Sequence, residues 1–356
     1  MRAESERGVG PPDLRHLFRM TDDTGMLQHA RHGIPDRRHG YTTDDNARAL
    51  LVALKLQEVW EVPRSRELAE LYLSFLGHAQ REDGGFRNFM DYQRRFLAEE
   101  ESEDCFGRCL WALAATLGSA GALGDAAQER LDLALPRAAA LRFLRGQAHA
   151  VRALALLVEA RFALRRTRPL LRKLSGSLLH AYREACRPDW RWFEPEATYG
   201  NADLPHALLL AWAATGDERY RQAGTQTLDF LLESVWTGKL FRPVGNRGWW
   251  RQGEAPARYD QQPLEAGTTA DACLTAYRLT GEERYRRAAA GALAWFHGRN
   301  SRKVDLYDAQ TGGCRDGITP TGANRNQGAE SLLSMLWAQL VWTETVQRRE
   351  ETTVYA

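Results

Sequence analysis

The sequence predicts an all-α fold, an (α/α)6 toroid built from six helical hairpins. Three observations carry this. A helix–turn–helix unit recurs: 215–233 reads TGDERYRQAGTQTLDFLLE and 280–298 reads TGEERYRRAAAGALAWFHG, each following a small-residue, apolar helix. Helices apolar on nearly all faces alternate with helices that carry a single apolar stripe. Runs of β-branched residues are few, whereas Ala, Leu and Arg, all favourable in helices, are abundant.

Taken in chain order, the segment near 12–20 is a short candidate outer helix. Residues 43–58 (TDDNARALLVALKLQE) form the first inner helix, with Thr42 or Thr43 as N-cap. An amphipathic partner follows at 64–79. The inner helices at 104–117 (DCFGRCLWALAATL) and 148–160 alternate with partners at 126–145 and 168–187. Residues 202–214 and 263–279 are the apolar helices ahead of the two TG turns, with Pro205 and Pro263 in their first turns, where a missing N–H costs nothing. Their partners are 217–233 and 282–298, and 327–342 closes the set. Six helices apolar all round need burial on every side, and one-sided partners supply it from outside. With no Pro/Ser/Gly linker between repeats, the expected boundaries are a flexible 1–12, one barrel over 13–345 and a tail over 346–356.

The composition fits a globular protein: 44% apolar and 26% charged residues, with 48 cations against 46 acids. That balance gives no electrostatic case for nucleic acid or an anionic membrane. No apolar run approaches the ~18 residues of a membrane span. Residues 1–12 do not read as a secretory signal. The cysteines, Cys105, Cys109, Cys186, Cys273 and Cys314, lack CxxC spacing and read as free thiols, which makes the cytoplasm the expected location. The histidines show no metal-binding helical pair, and no P-loop, GxGxxG or GxSxG occurs, so neither a metal nor a cofactor is expected.

Turns from inner to outer helices are short. The returns, about 80–103, 188–201, 234–262 and 299–326, are long, and long ordered loops in a compact domain carry function. Hairpin alternation puts them at the end that holds the N-termini of the inner helices. Acids crowd that end: Asp44, Asp45, Glu103, Asp104, Asp260, Glu265 and Glu330. Any single one could serve a helix dipole or cap. Amides and aromatics in the same loops suit sugars, whose faces stack on rings and whose hydroxyls need directional partners. The substrate-binding candidates are Asp22, Asp23, Gln28, His29, Asp44, Tyr92, Tyr199, Asn201, Asn246, Trp249, Trp250, Gln261, Gln262, Asn326, Gln327 and Glu330, with Asn88, Trp190 and Trp192 nearby.

Glycoside hydrolysis needs one carboxyl held protonated and a second as base or nucleophile. Asp104 or Glu103 on one side and Asp260 or Glu265 on the other form the expected pair, with Asp45 as substitute. Asp44 and Asp45 point about 100° apart on a helix and cannot both act on one bond.

The segments TDDTGMLQHA, GYTTDDNARAL, SEDCFGRCLWAL, YGNADLPHALL, DQQPLEAG and NQGAESLLSML together resemble a bacterial family of six-hairpin, glycosidase-like proteins, often fused or adjacent to family-4-type glycosyltransferases. The resemblance spans roughly 14–342. It implies the (α/α)6 fold, a carbohydrate role and a glycosyltransferase as partner. This chain departs from the fused form in lacking the Rossmann halves that bind a nucleotide sugar.

The leading expectation is therefore a glycoside hydrolase acting on an oligosaccharide or bacterial glycan, with inversion favoured by analogy with other toroids. A non-catalytic glycan-binding module serving a transferase is the alternative outside catalysis. An epimerase would require histidine bases in the bowl. A uronate lyase or a phosphorylase would draw on loop cations such as Arg94, Arg95, Arg247, Arg251, Arg315 and Arg325. QREDGGF (80–86) is similar to the repeats of terpene cyclases and prenyltransferases, but it stands as one copy without DDxxD or DxDD.

Overall fold

A computed structural model describes residues 10–98 and 101–354. Twelve α-helices follow one another: α1 Arg15–Met20, α2 Thr43–Trp60, α3 Ser65–Ala79, α4 Glu103–Thr116, α5 Ala122–Ala134, α6 Leu144–Glu159, α7 Leu164–Ala185, α8 Asp203–Thr215, α9 Glu218–Val235, α10 Pro263–Thr280, α11 Glu283–Phe296 and α12 Ala329–Val354. The even-numbered helices form a ring. Each packs on the next, from α2 through α4, α6, α8 and α10 to α12, and α12 closes on α2. The odd-numbered helices lie outside. Short α1 packs against α12 in the sixth outer place. This is the (α/α)6 toroid.

Local chemistry sets the helix ends. Thr42 caps α2 by accepting from Asp45 N–H, and Ser102 caps α4 by accepting from Cys105 N–H. The two TG turns end α8 and α10 alike: Gly216 and Gly281 take φ of 71° and 73°, and their N–H groups reach back to the carbonyls of Trp212 and Tyr277. Asp217 then caps α9 through Arg219 N–H. One outer helix is shorter than expected. Residues 126–145 do not run on, because Pro136 stops α5 at Ala134 and a 3-10 turn, Leu135–Ala140, takes over. At the other end, α12 runs past the expected boundary at 345 to Val354. Most of the expected flexible N-terminus, residues 1–9, and residues 355–356 of the tail lie outside the described residues.

The long returns are braced by two-stranded ladders of two or three residues. Tyr41–Thr42 pairs with Phe89–Met90, and Glu196–Ala197 with Trp250–Arg251. Tyr307–Asp308 pairs with Gly313–Cys314, and Gly317–Thr319 with Gly322–Asn324. The first two ladders tie loops of different hairpins together, and the last two brace the single return before α12; together the loops form a collar above the inner-helix N-termini.

Candidate active site

The collar surrounds a cavity of about 540 Å3. Its carboxylates are Asp44 and Asp45 from α2, Asp260 from the return before α10, Asp316 from the return before α12, and Glu330 from the first turn of α12. Arg48 is the one lining cation among the described residues. Gln28, His29, Asn88, Asn246, Gln261, Gln262 and Asn324 supply polar groups, and Phe89 the one benzene ring.

Arg48 organises the floor. Its Nη1 lies 2.5 Å from Asp44 Oδ2 and 3.0 Å from Asp45 Oδ1. Its Nη2 donates to Glu330 Oε2 at 2.9 Å and to Tyr199 Oη at 2.7 Å, while Tyr199 donates in turn to Glu330 at 2.7 Å. Asp44 is held on its other side by Arg108 Nε at 2.5 Å. Asp45 is 5% exposed, and that burial pushes its carboxyl up to about 7 despite Arg48, with Asp44 and Glu330 adding repulsion. Thr42 Oγ1 donates to Asp45 Oδ2 at 2.7 Å.

Across the cavity, Asp260 adopts a left-handed backbone, φ 56°. Such a conformation costs energy in a residue with a side chain and is found where a loop must aim a group. The Asp260 carbonyl accepts from Asn246 N–H at 3.0 Å, and neighbouring Gln261 bridges to Ile318. No hydrogen bond to the Asp260 carboxyl occurs among the described residues. Asp316, which the sequence reading passed over, accepts from Gly328 N–H at 2.7 Å and is raised by burial.

Beneath this floor a chain of charges continues inside the ring. Arg108 joins Asp44 to Asp104 (3.0 Å), and Asp104 lies 3.2 Å from His149 Nε2. Burial opposes ionisation of Asp104, but Arg108 and His149 hold it well below the usual carboxylate range. Deeper still, Arg152 reaches Asp203 at 2.8 Å and Asp271 at 2.5 Å, with its guanidinium 3.6 Å from the centre of the Trp111 ring. His206 receives or gives a hydrogen bond at Thr275 Oγ1, 2.9 Å, and is pushed down to about 3 by burial and by Arg152.

Several expected site residues have other positions. Glu103 accepts from Arg142 N–H and Phe143 N–H, both at 2.7 Å, and so ties α4 to the start of α6. Glu265, 3% exposed, accepts from Gly200 N–H at 2.7 Å and from Asn201 Nδ2 at 3.0 Å, which anchors the loop bearing Tyr199; burial raises it to about 7. Neither residue lines the cavity. Asp22 closes a turn at Thr24 and accepts from Tyr41 Oη. Asp23 pairs with Arg94 on the surface at 2.8 Å. Asn326 accepts from His32 N–H, and Gln327 is buried between Thr311 and Asp308. Tyr92 stands at the rim, where Arg37 donates to it.

The tryptophans are a correction. Trp190, Trp192 and Trp250 do not form platforms in the bowl; they are buried against Phe230 and Phe193 beneath the collar. Trp249, half-buried at φ 56°, is not among the lining residues. The loop arginines also stay out. Arg251 pairs with Glu196, Arg315 with Asp308 and Arg94 with Asp23, and none of them lines the cavity.

No protein-family model matches the sequence, and no curated protein matches it. Solved structures with the same fold include a sugar epimerase from a ruminal bacterium, 12% identical, TM-score 0.75, covering 97% of this chain and 98% of that one. A D-mannose isomerase is 12% identical with TM-score 0.75, covering 98% of each chain. The GH76 α-mannanase of Bacteroides thetaiotaomicron is 12% identical with TM-score 0.66, covering 95% of each.

Proposed function

We propose that the chain is a glycoside hydrolase acting on an oligosaccharide or glycan of neutral sugars. The observation that carries this is Asp45: a cavity-lining carboxyl pushed up to about 7, beside the ion-paired Asp44 and in the same cavity as Asp260. A carboxyl poised there holds a proton near neutral pH and can deliver it. In the reaction Asp45 gives its proton to the glycosidic oxygen as the carbon–oxygen bond breaks. Water attacks the opposite face of the sugar, and its proton passes to Asp260, as inversion requires. Asp44 holds Arg48 and Arg108 in place, and Arg48 fixes Glu330 and Tyr199.

The charge of the cavity supports a neutral substrate. Five lining carboxylates face one arginine whose two terminal nitrogens already meet protein groups. A uronate or a phosphate co-substrate would meet repulsion there, which weighs against the lyase and phosphorylase alternatives.

A second reading has one observation in its favour. His29 lines the cavity, and partial desolvation by its walls together with His39 lowers its pKa, so it is a base in reach of a sugar. That suits an epimerase or isomerase, the activity of two of the structural neighbours. The ring histidines do not strengthen it: His149 and His206 are 1% and 3% exposed and outside the cavity lining. We also propose a cytoplasmic location, which the free cysteines support, and, from the motif resemblance, a family-4-type glycosyltransferase as partner.

The test is product analysis on α- and β-linked gluco- and manno-oligosaccharides. Release of shorter sugars, lost in Asp45→Asn, supports the hydrolase. A change of sugar identity at constant chain length, lost in His29→Asn, replaces it with the epimerase. Binding without turnover replaces both with the glycan-binding module.

A further inference from the structure

Phe89 is the unusual member of the cavity lining. Apart from Ile318 and Pro263 the other lining side chains are polar or charged, yet this residue is 37% exposed. A single exposed Phe is unremarkable when its backbone is loose. Here the backbone is tied to the catalytic helix. Phe89 pairs with Thr42, the N-cap of α2. Thr43 N–H donates to Asn88 O at 2.8 Å, Asp44 N–H to Asn88 Oδ1 at 3.1 Å, and Thr43 Oγ1 to Arg87 O at 2.6 Å. On its outer side the Phe89 carbonyl accepts from Leu97 N–H at 2.9 Å. The backbone that carries the ring is therefore held in place against the first turn of α2. On the same rim segment stands Tyr92, 45% exposed, stacked on Tyr41 with ring centres 6.2 Å apart and fixed by Arg37.

A ring at the wall of a hydrogen-bonding cavity matches a ligand that is apolar on one face and polar at its edge. A pyranose is such a ligand, since its C–H face stacks on an aromatic ring while its hydroxyls reach amides and carboxylates. We propose that Phe89 is the platform of a second sugar subsite at the cavity mouth, so that the substrate is an oligosaccharide or longer glycan with one ring at Asp45 and the adjacent ring on Phe89. This rests on the hydrolase reading and deepens it by assigning a residue to the second sugar ring of the substrate.

The experiment uses the full chain carrying Asp45→Asn, so that bound sugar stays intact. Calorimetry measures the affinity of α-1,6-mannotriose, cellotriose and maltotriose, and of methyl mannoside and methyl glucoside, with Phe89, Phe89→Ala and Phe89→Trp. The expected result is a loss of about 3- to 10-fold for the trisaccharide in Phe89→Ala, restored by Trp, and under about 2-fold for the methyl glycoside. Equal losses for both ligands, or none for the trisaccharide, overturn the subsite. If the trisaccharide depends on Phe89 but the unsubstituted protein never cleaves it, the subsite stands and the hydrolase reading falls. If no sugar of the panel binds, both fall. Phe89 lies at the surface, and matching thermal melts keep a folding defect from imitating the effect.

Discussion

Asp44 and Asp45 are consecutive and share the first turn of α2, yet their carboxyls meet different company. Asp44 lies between two guanidinium groups, Arg48 and Arg108, each at 2.5 Å. Asp45 has one guanidinium, Arg48, at 3.0 Å, is 5% exposed at the cavity wall, and is raised by burial to about 7. The roughly 100° between adjacent side chains on a helix turns one toward α4 and leaves the other against its own N-cap. The substitution Asp45→Asn keeps the contacts with Thr42 and Arg48 but cannot give up a proton. The expected loss in kcat is about 100- to 10,000-fold, with KM little changed. A KM effect alone would place Asp45 in binding and leave the acid to be found elsewhere.

The same carboxyl sets a pH dependence. As an acid, Asp45 must be protonated, so kcat is expected to fall as pH rises through about 7. Asp45→Glu should move that limb, whereas Glu330→Gln, which removes a repelling neighbour, should lower it.

Stability should follow pH as well. Glu265 rises from 4.5 to about 7 in the folded chain, because burial disfavours its charge. Between those values the folded chain keeps a proton that the unfolded chain has lost. This contribution is whole below about 4.5 and disappears as pH rises through about 7. Asp271 has the opposite sign. His206 and Arg152 bring it down to about 2 against burial, so its contribution exists above the ordinary 3.8 and is lost as pH falls through about 2. Urea midpoints across about pH 5 to 8 should decline less steeply in Glu265→Gln than in the parent chain. Parallel slopes would show that Glu265 does not titrate there.

The sequence revealed the ring because its signals are local. Periodicity marks each helix, and the TG turns mark where α8 and α10 stop. It also marked the acidic end, since Asp44, Asp45, Asp260 and Glu330 sit at or beside inner-helix starts. What it hid depends on distance in space. Arg48, Arg108 and Arg152 read as interruptions of apolar helices, and only the closed ring shows that each answers carboxylates from other hairpins. Trp190 and Trp250 look like loop aromatics until the ladder between Glu196–Ala197 and Trp250–Arg251 folds the loops over them. Phe89 carries no signal at all, because its place is fixed by pairing with Thr42, in a strand far away in sequence.

The buried charges inside the ring make a stability prediction. Arg152, 4% exposed, neutralises Asp203 and Asp271, which are 1% and 3% exposed. Arg152→Met fills much of the same volume but takes the guanidinium from both carboxylates, leaving Asp271 the Trp337 indole N–H at 2.8 Å, at a cost of about 3–5 kcal/mol. Adding Asp203→Asn and Asp271→Asn should recover most of it, as read from urea unfolding. If the triple variant is no more stable than Arg152→Met, the loss comes from packing on Trp111 and not from stranded charge.

The aim of Asp260 is separable from the stability of the barrel. Gly245 lies against the loop segment that leads into Asp260: a Cβ built there would stand 1.9 Å from the Tyr259 carbonyl oxygen. Its own N–H donates to Ala257 O at 2.9 Å, and the next residue, Asn246, donates to Asp260 O at 3.0 Å. An alanine must push these two loop segments apart, and the displaced segment carries Asp260, the proposed base. A shift near 1 Å at a reacting group costs about 100-fold in rate. Gly245→Ala should therefore lower kcat by about that factor, while helical circular dichroism and the main unfolding transition stay near those of the parent, because α10 and its neighbours are untouched. Asp260→Asn in the same background should add little, since a misplaced base has already lost its effect. A full additional loss on top of Gly245→Ala would mean that Asp260 still works from its displaced position, and the clash would then have been absorbed elsewhere in the loop.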